Sequence, residues 1–345
     1  MTVLEAIQKS ADFLAKRGVE PPRLQAELLL AHLLKLPRMK LYLNFERVLT
    51  PMETDALREF VKRRGQREPL QHITGSTSFC GHEIAVNRHV LVPRPETEML
   101  AEAGWQFLNR PAQELERRAP SRLETTGFSE QAETVLGAPA ALDFGTGSGC
   151  IAIALAAKCP NAKITATDIS VEALALAKEN AARNQVAERI EFLQGDGFAA
   201  LESVGQASSL SPSSSAVSSG SRTNETGWKP VLRFDLIISN PPYIPSAEIA
   251  TLQPEVRDFD PRAALDGGAD GLDFYRKLAA EAKPFLKPDG KIMLEFGDGQ
   301  AEAVKNIFET QKWIVEAVKE DYSQRATNEH GKFFDQRRRA IARRS

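Results

Sequence analysis

Ala141-Leu142-Asp143-Phe144-Gly145-Thr146-Gly147-Ser148-Gly149 runs from a short apolar segment into three alternating glycines. An apolar run that meets a glycine-rich turn and then opens a helix reads as the first βα unit of a parallel sheet. Glycines at 145, 147 and 149 let the backbone adopt angles that other residues resist and approach a ligand closely. Downstream, apolar runs and helical patterns keep alternating. Strands are expected at 140–142, 164–167, 190–193, 234–239 and 291–296, with helices near 149–158, 170–182, 272–286 and 299–310. That rhythm predicts an α/β, doubly wound, mostly parallel sheet.

The loop's spacing narrows its ligand. It reads G-x-G-x-G, whereas a dinucleotide fingerprint needs a glycine where Cys150 stands. Asp143, just ahead of the glycines, would repel a pyrophosphate but suits the cationic amino-acid end of S-adenosylmethionine. It reads equally well as a buried acid paired with backbone amides. Asp168 ends the second strand, where an acid reaches ribose hydroxyls. Asp196-Gly197-Phe198 ends the third, placed to line an adenine. The expected cofactor residues are therefore Gly145, Thr146, Gly147, Ser148, Gly149, Asp168, Asp196 and Gly197.

The fourth strand leads directly into Asn240-Pro241-Pro242-Tyr243. Two prolines cannot continue a strand, so the backbone turns away rigidly at its C-terminal end, where open α/β sheets bind ligands. The Asn240 side-chain oxygen and the Pro241 carbonyl become fixed acceptors, with the Tyr243 ring beside them. Such a pocket suits a planar, weakly nucleophilic nitrogen, either an amide or an exocyclic base amine. It points to N-methyl transfer, with Asn240, Pro241 and Tyr243 as the candidate catalytic residues. A general base is not required, since the nitrogen becomes acidic once methylated. The five histidines share no spacing and read as surface or packing residues; no metal site is expected.

Residues 1–76 read as a small helical domain. Thr2 with Glu5 and Thr50 with Glu53 form capping boxes, and stripes at Leu4, Ile7, Ala11, Leu14 and at Leu24, Leu28, Leu29, Leu33 supply apolar faces. A β-hairpin linker follows over 77–92, and the α/β domain is expected over 93–335. Irregular insertions interrupt it at about 109–136 and 203–230, the second carrying ten serines between Ser203 and Ser221. Residues 336–345, rich in arginine, read as a basic, poorly ordered tail. A net charge of −2 argues against a general nucleic-acid binder. Three cysteines without ligand spacing, no basic leader and no long apolar run predict a cytoplasmic chain with no membrane partner.

Taken together these residues resemble the release-factor glutamine N5-methyltransferases (the HemK/PrmC family). The likeness is carried by "PRLQAELLLAHLL" at 22–34, "LYLNF" at 41–45, Glu68 to Gly75, Phe79, Gly81 and "VLVPRPETE" at 90–98. It continues through Glu255, Pro261, Ala264, Leu265, Gly268, Asp270, Gly271, Leu272, Tyr275, Glu295, Gly297 and Gln300. The resemblance implies a seven-stranded Rossmann-like methyltransferase sheet and S-adenosylmethionine as methyl donor. It implies the glutamine of the Gly-Gly-Gln loop of peptide-chain release factors as substrate, gripped in part by the helical domain, with Asn240, Pro241, Pro242 and Tyr243 as catalytic residues at that glutamine and Asn240 also at the cofactor. It also implies a monomer without stable nucleic-acid binding. The rival reading is a DNA or RNA amino-methyltransferase acting on adenine N6 or guanine N2, since the same turn serves a flipped base. A non-catalytic S-adenosylmethionine-binding protein would be expected to have a damaged turn, and here the turn is intact.

Overall fold

A computed structural model describes residues 1–110, 138–201, 233–320 and 338–344. Nearly all of both expected insertions lies outside these residues, as does the stretch 321–337. The chain divides into two compact units. One comprises Met1–Ser78, Glu83–Val92 and Ala247–Leu265; the other comprises Phe79–His82, Pro93–Ser246 and Asp266–Ser345.

The first unit is built on helices Val3–Lys16, Pro22–Leu34, Arg38–Leu41, Pro51–Gly65 and Leu70–Thr74. Both capping boxes form. Thr2 Oγ1 accepts from the Glu5 N–H at 3.2 Å and Glu5 accepts from the Thr2 N–H at 3.0 Å, and Thr50 with Glu53 repeats the arrangement at 3.2 and 2.9 Å. Each N-cap stabilises its helix by about 1 kcal/mol. Val3, Ile7, Leu14, Leu29, Leu30, Leu41 and Leu57 are buried at the centre. On the second helix the buried stripe runs through Ala26, Glu27, Leu29 and Leu30; of the expected face, Leu29 is buried, while Leu24, Leu28 and Leu33 are only partly so. Glu27 tolerates this position because its carboxylate accepts from Arg23 at 3.0 Å, Arg38 at 3.1 Å and Tyr42 at 2.9 Å.

The segment Ala247–Leu265 was expected within the methyltransferase domain but belongs to this helical unit. Glu255 explains the association. Its carboxylate accepts from Arg64 Nη2 at 2.9 Å and from Arg67 Nε and Nη2 at 2.7 and 2.6 Å. Burial pushes the Glu255 pKa up, but the hydrogen bonds and charges of the two guanidinium groups outweigh it and hold the carboxyl below its usual value. After the helices comes the hairpin, β1 (Ser76–Phe79) and β2 (His82–Ala85). It turns through Cys80 and Gly81 at positive φ.

In the second unit, β3 (Ala140–Phe144), β4 (Lys163–Asp168), β5 (Ile190–Gln194), β6 (Phe234–Ser239) and β7 (Leu286–Phe296) make a parallel sheet in the order β5-β4-β3-β6-β7. Ala141, Leu142, Leu236, Ile237 and Ile238 are fully buried, which is why these strands read as continuous apolar runs rather than as alternation. Helices Pro95–Leu108, Cys150–Lys158, Val171–Arg183, Asp273–Glu281 and Ala301–Thr310 flank them. The chain leaves β3 toward β4 and β5, then returns to lay β6 on the other side of β3. That reversal opens a crevice at the C-terminal ends of β3 and β6.

Two antiparallel strands follow on the β7 edge: β9 (Arg338–Arg344) pairs with β7, and β8 (Trp313–Glu320) pairs with β9. Of the expected basic tail over 336–345, residues 338–344 form β9. Weighing the arginines alone passes over Ala340-Ile341-Ala342, whose register sets Ile341 opposite Met293 and Ala340 opposite Leu294. The exposed ladder of β7 needs a partner, and this segment supplies it. Among the described residues no helix is long and apolar enough to cross a membrane.

Candidate active site

β3 ends at Phe144, and the glycine loop crosses immediately to β4. The N–H groups of Gly145 and Thr146 both donate to the Thr167 carbonyl at 2.9 Å. Gly145 and Gly147 have φ of +74° and +54°, and a Cβ on either would meet nothing within 4 Å. Glycine is needed there for backbone conformation, and the space above is open to a ligand. Gly149 differs: a Cβ would lie 3.0 Å from Ala177 Cβ, so this glycine lets two helices pack. Ser148 is buried, and its carbonyl accepts from Asn180 Nδ2 at 2.9 Å. Of the five loop residues, Gly145 and Gly147 face open space, while Thr146, Ser148 and Gly149 shape the loop.

Asp143 is fully buried beneath the loop. Its Oδ2 accepts from the Thr146 hydroxyl at 2.6 Å and from the Ala152 N–H at 3.1 Å. Burial pushes its pKa up to about 7, against those two hydrogen bonds. Its Oδ1 has no hydrogen-bond partner among the described residues. Both expected readings of Asp143 therefore have a foothold. One oxygen braces the loop, and the other is an orphaned acceptor that a cationic or N–H-bearing ligand would satisfy. This acceptor and the open space over two glycines fit S-adenosylmethionine.

Asp168 at the end of β4 accepts from the Gly147 N–H at 2.8 Å through Oδ2 and from the Ser170 N–H at 2.9 Å through Oδ1. Beside it Ile169 is 64% exposed, an apolar surface that the sequence reading missed. Asp196 lies exposed beyond β5, paired with Lys277 Nζ at 2.5 Å. Gly197 has φ +64°, and a Cβ there would come within 2.5 Å of Phe144 Cζ. Phe198 was expected to line an adenine. It instead turns into the core, with its ring 5.0 Å from Phe144 and stacked on Phe285 at 4.7 Å.

On the other side of the crevice, the Ser239 hydroxyl donates to the Phe144 carbonyl at 2.6 Å, tying the end of β6 to the end of β3. Asn240 follows, half-buried, and its Nδ2 donates to Thr97 Oγ1 at 3.1 Å. Pro241 is buried and Pro242 half-buried. The Tyr243 carbonyl accepts from Gln300 Nε2 at 2.9 Å, and Gln300 Oε1 accepts from the Gly297 N–H at 2.9 Å. A Cβ on Gly271 would lie 2.3 Å from the Tyr243 carbonyl oxygen, and one on Gly297 would lie 3.0 Å from the Tyr243 ring. Gly271, Gly297 and Gln300, noted at first only as points of likeness, thus form the bed of the Asn-Pro-Pro-Tyr turn. No trio of His, Cys, Asp or Glu side chains among the described residues could hold a metal ion.

Comparison with known proteins agrees with this architecture. Residues 5–75 match the PrmC N-terminal domain, and residues 138–337 match a methyltransferase domain. Release factor glutamine methyltransferase of Geobacter sulfurreducens is 41% identical over 307 residues, covering 89% of this chain and 88% of its own. Proteins of the same name from Chlorobaculum tepidum and Rhodospirillum rubrum are each 38% identical. The first alignment covers 93% of this chain and 94% of the relative, the second 89% and 77%. At this identity, over nearly the whole of both chains, the protein belongs to the release factor glutamine methyltransferase family.

Proposed function

We propose that this chain is an S-adenosylmethionine-dependent protein methyltransferase that modifies the side-chain amide nitrogen (N5) of the glutamine in the Gly-Gly-Gln motif of peptide-chain release factors. The observation that supports it most is the Asn-Pro-Pro-Tyr turn, tied through Ser239 to the strand that carries the open glycine loop. Gly145 and Gly147 line the cofactor with Asp168, Asp196 and Gly197; Thr146, Ser148 and Gly149 shape the loop beneath it, and Asn240 lies at its edge. When bound, S-adenosylmethionine supplies an electrophilic methyl group. An amide nitrogen attacks poorly because its lone pair is delocalised. The Asn240 side-chain oxygen and the Pro241 carbonyl accept its two N–H bonds, orient it and favour the positive, pyramidal form it acquires as it attacks. Acceptors that strengthen as that charge grows lower the barrier rather than merely tightening binding. Tyr243 packs on the amide plane.

The helical unit grips the release factor. Its exposed Met39, Leu43, Val48 and Met52 offer apolar surface for a protein partner. A net charge of −2 favours protein over nucleic acid, and the enzyme acts as a cytoplasmic monomer. The test is to incubate the protein with labelled S-adenosylmethionine, a release factor and tRNA or DNA, and to locate the label by mass spectrometry. Label is expected on the release-factor glutamine, and Asn240→Ala should abolish it while leaving most cofactor binding. Label on nucleic acid and none on the glutamine would overturn the proposal.

A further inference from the structure

Pro93-Arg94-Pro95-Glu96-Thr97-Glu98 marks the family resemblance but has no part in the chemistry described so far. These residues open the helix Pro95–Leu108. Glu98 Oε1 accepts from the Cys80 N–H at 2.8 Å, anchoring the hairpin turn. Thr97 does something else. It is 2% exposed, its own N–H donates to the Arg94 carbonyl at 3.1 Å, and its Oγ1 accepts from Asn240 Nδ2 at 3.1 Å. Two motifs 143 residues apart therefore meet at the reacting end of the site.

An asparagine carboxamide presents an acceptor on one side and a donor on the other, in nearly identical shapes. A half-turn about χ2 exchanges them. Only the orientation with Oδ1 toward the substrate can accept an amide N–H; the flipped form would set N–H against N–H. Asn240 makes no other hydrogen bond among the described residues, so no other hydrogen bond there holds the carboxamide in place. The Thr97 hydroxyl can accept from Nδ2 or donate to Oδ1, so it fixes the plane of the carboxamide rather than choosing between its two ends. A β-branched side chain in a helix has few χ1 rotamers, and burial holds the hydroxyl in place.

We propose that Thr97 is a positioning residue, which holds the plane of the Asn240 carboxamide in line with the substrate amide. This rests on the reading of Asn240 as the acceptor for that amide. Thr97→Val keeps the shape and removes the hydroxyl, and should lower kcat for release-factor methylation about tenfold. KM for the release factor should change less than about threefold, since docking is spread over a protein surface. Thr97→Ser should restore kcat to within about threefold of wild type. Thr97→Ala and Thr97→Ser form a second pair differing in the hydroxyl, should the valine variant fold poorly. Independently of turnover, selective 15N-asparagine labelling should show the Asn240 side-chain amide protons of the wild type and Thr97→Ser shifted downfield and exchanging slowly. Both features should be lost in Thr97→Val. Equal kcat with and without the hydroxyl, or an Asn240 amide signal unchanged in Thr97→Val, would overturn the proposal. The amide signal reads the Thr97–Asn240 bond even if the substrate proves not to be a release factor.

Discussion

Replacing Asp143 by asparagine gives the most direct test of the loop's electrostatics. The carboxyl is fully buried, and its pKa rises from an ordinary 3.8 to about 7. Folding therefore favours the protonated form. The stability this contributes is complete below about pH 4 and is lost as the pH rises through about 7. Each pKa unit is worth about 1.4 kcal/mol, so the wild type should lose on the order of 4 kcal/mol from this group across the window. Asparagine keeps an acceptor where Oδ2 receives the Thr146 hydroxyl and the Ala152 N–H, and it places its NH2 where Oδ1 already lacks a partner. The variant removes the titration and leaves the bracing. Urea unfolding of both proteins should show the difference between them moving in favour of Asp143→Asn by about 3 kcal/mol between pH 5 and pH 8. The other titrating groups are common to both chains and cancel. Affinity for S-adenosylmethionine, measured by calorimetry over the same range, should rise with pH more steeply in the wild type than in the variant. A stability difference that stays constant with pH would refute the assignment of a raised pKa to Asp143.

Two further perturbations follow from the packing. Gly197→Ala would combine a positive φ with a Cβ 2.5 Å from the Phe144 ring, and should cost about 2–4 kcal/mol by chemical unfolding; a loss below about 1 kcal/mol would mean the ring yields freely. Glu255→Gln leaves Arg64 and Arg67 facing a neutral amide, and should destabilise the fold by about 2–3 kcal/mol at neutral pH, discounted for the partial exposure of the pair. Because the Glu255 pKa is lowered from 4.5, the stability it provides is present above that value and lost as the pH falls through the lowered one. The gap between wild type and Glu255→Gln should close in acid, and a gap that persists there would refute the ion-pair explanation.

The sheet was legible because buried parallel strands are apolar on both faces and end on residues that cannot extend them. The run 234–239 before Asn240 and the run before Gly145 announce both their length and the end at which ligands gather. Burial of a charge is harder to read. Glu27 lies on the inner stripe of its helix because Arg23, one turn earlier, and Arg38 and Tyr42 converge on it, and no local pattern announces the two partners contributed from outside the helix. The same holds for the Thr97–Asn240 bond and for Glu255, whose partners are 188 and 191 residues away. The glycine loop was read correctly as a conformational device, but only the packed structure separates Gly145 and Gly147, beneath open space, from Gly149, against a helix. Phe198 was misjudged because an aromatic beside a ligand-facing turn and an aromatic beneath one look alike in sequence.

The position of β9 also imposes an order on synthesis. β8 is made before β9, yet its backbone ladder joins the sheet through β9, which lies between it and β7. While residues 338–344 are still inside the ribosome, β7 has one unsatisfied ladder and β8 has no strand to join. Folding of this edge must wait until residues 338–344 have threaded between two already synthesised strands. A nascent chain stalled before that point would carry an open, apolar β-edge, the kind of surface that chaperones bind and that pairs wrongly with its neighbours.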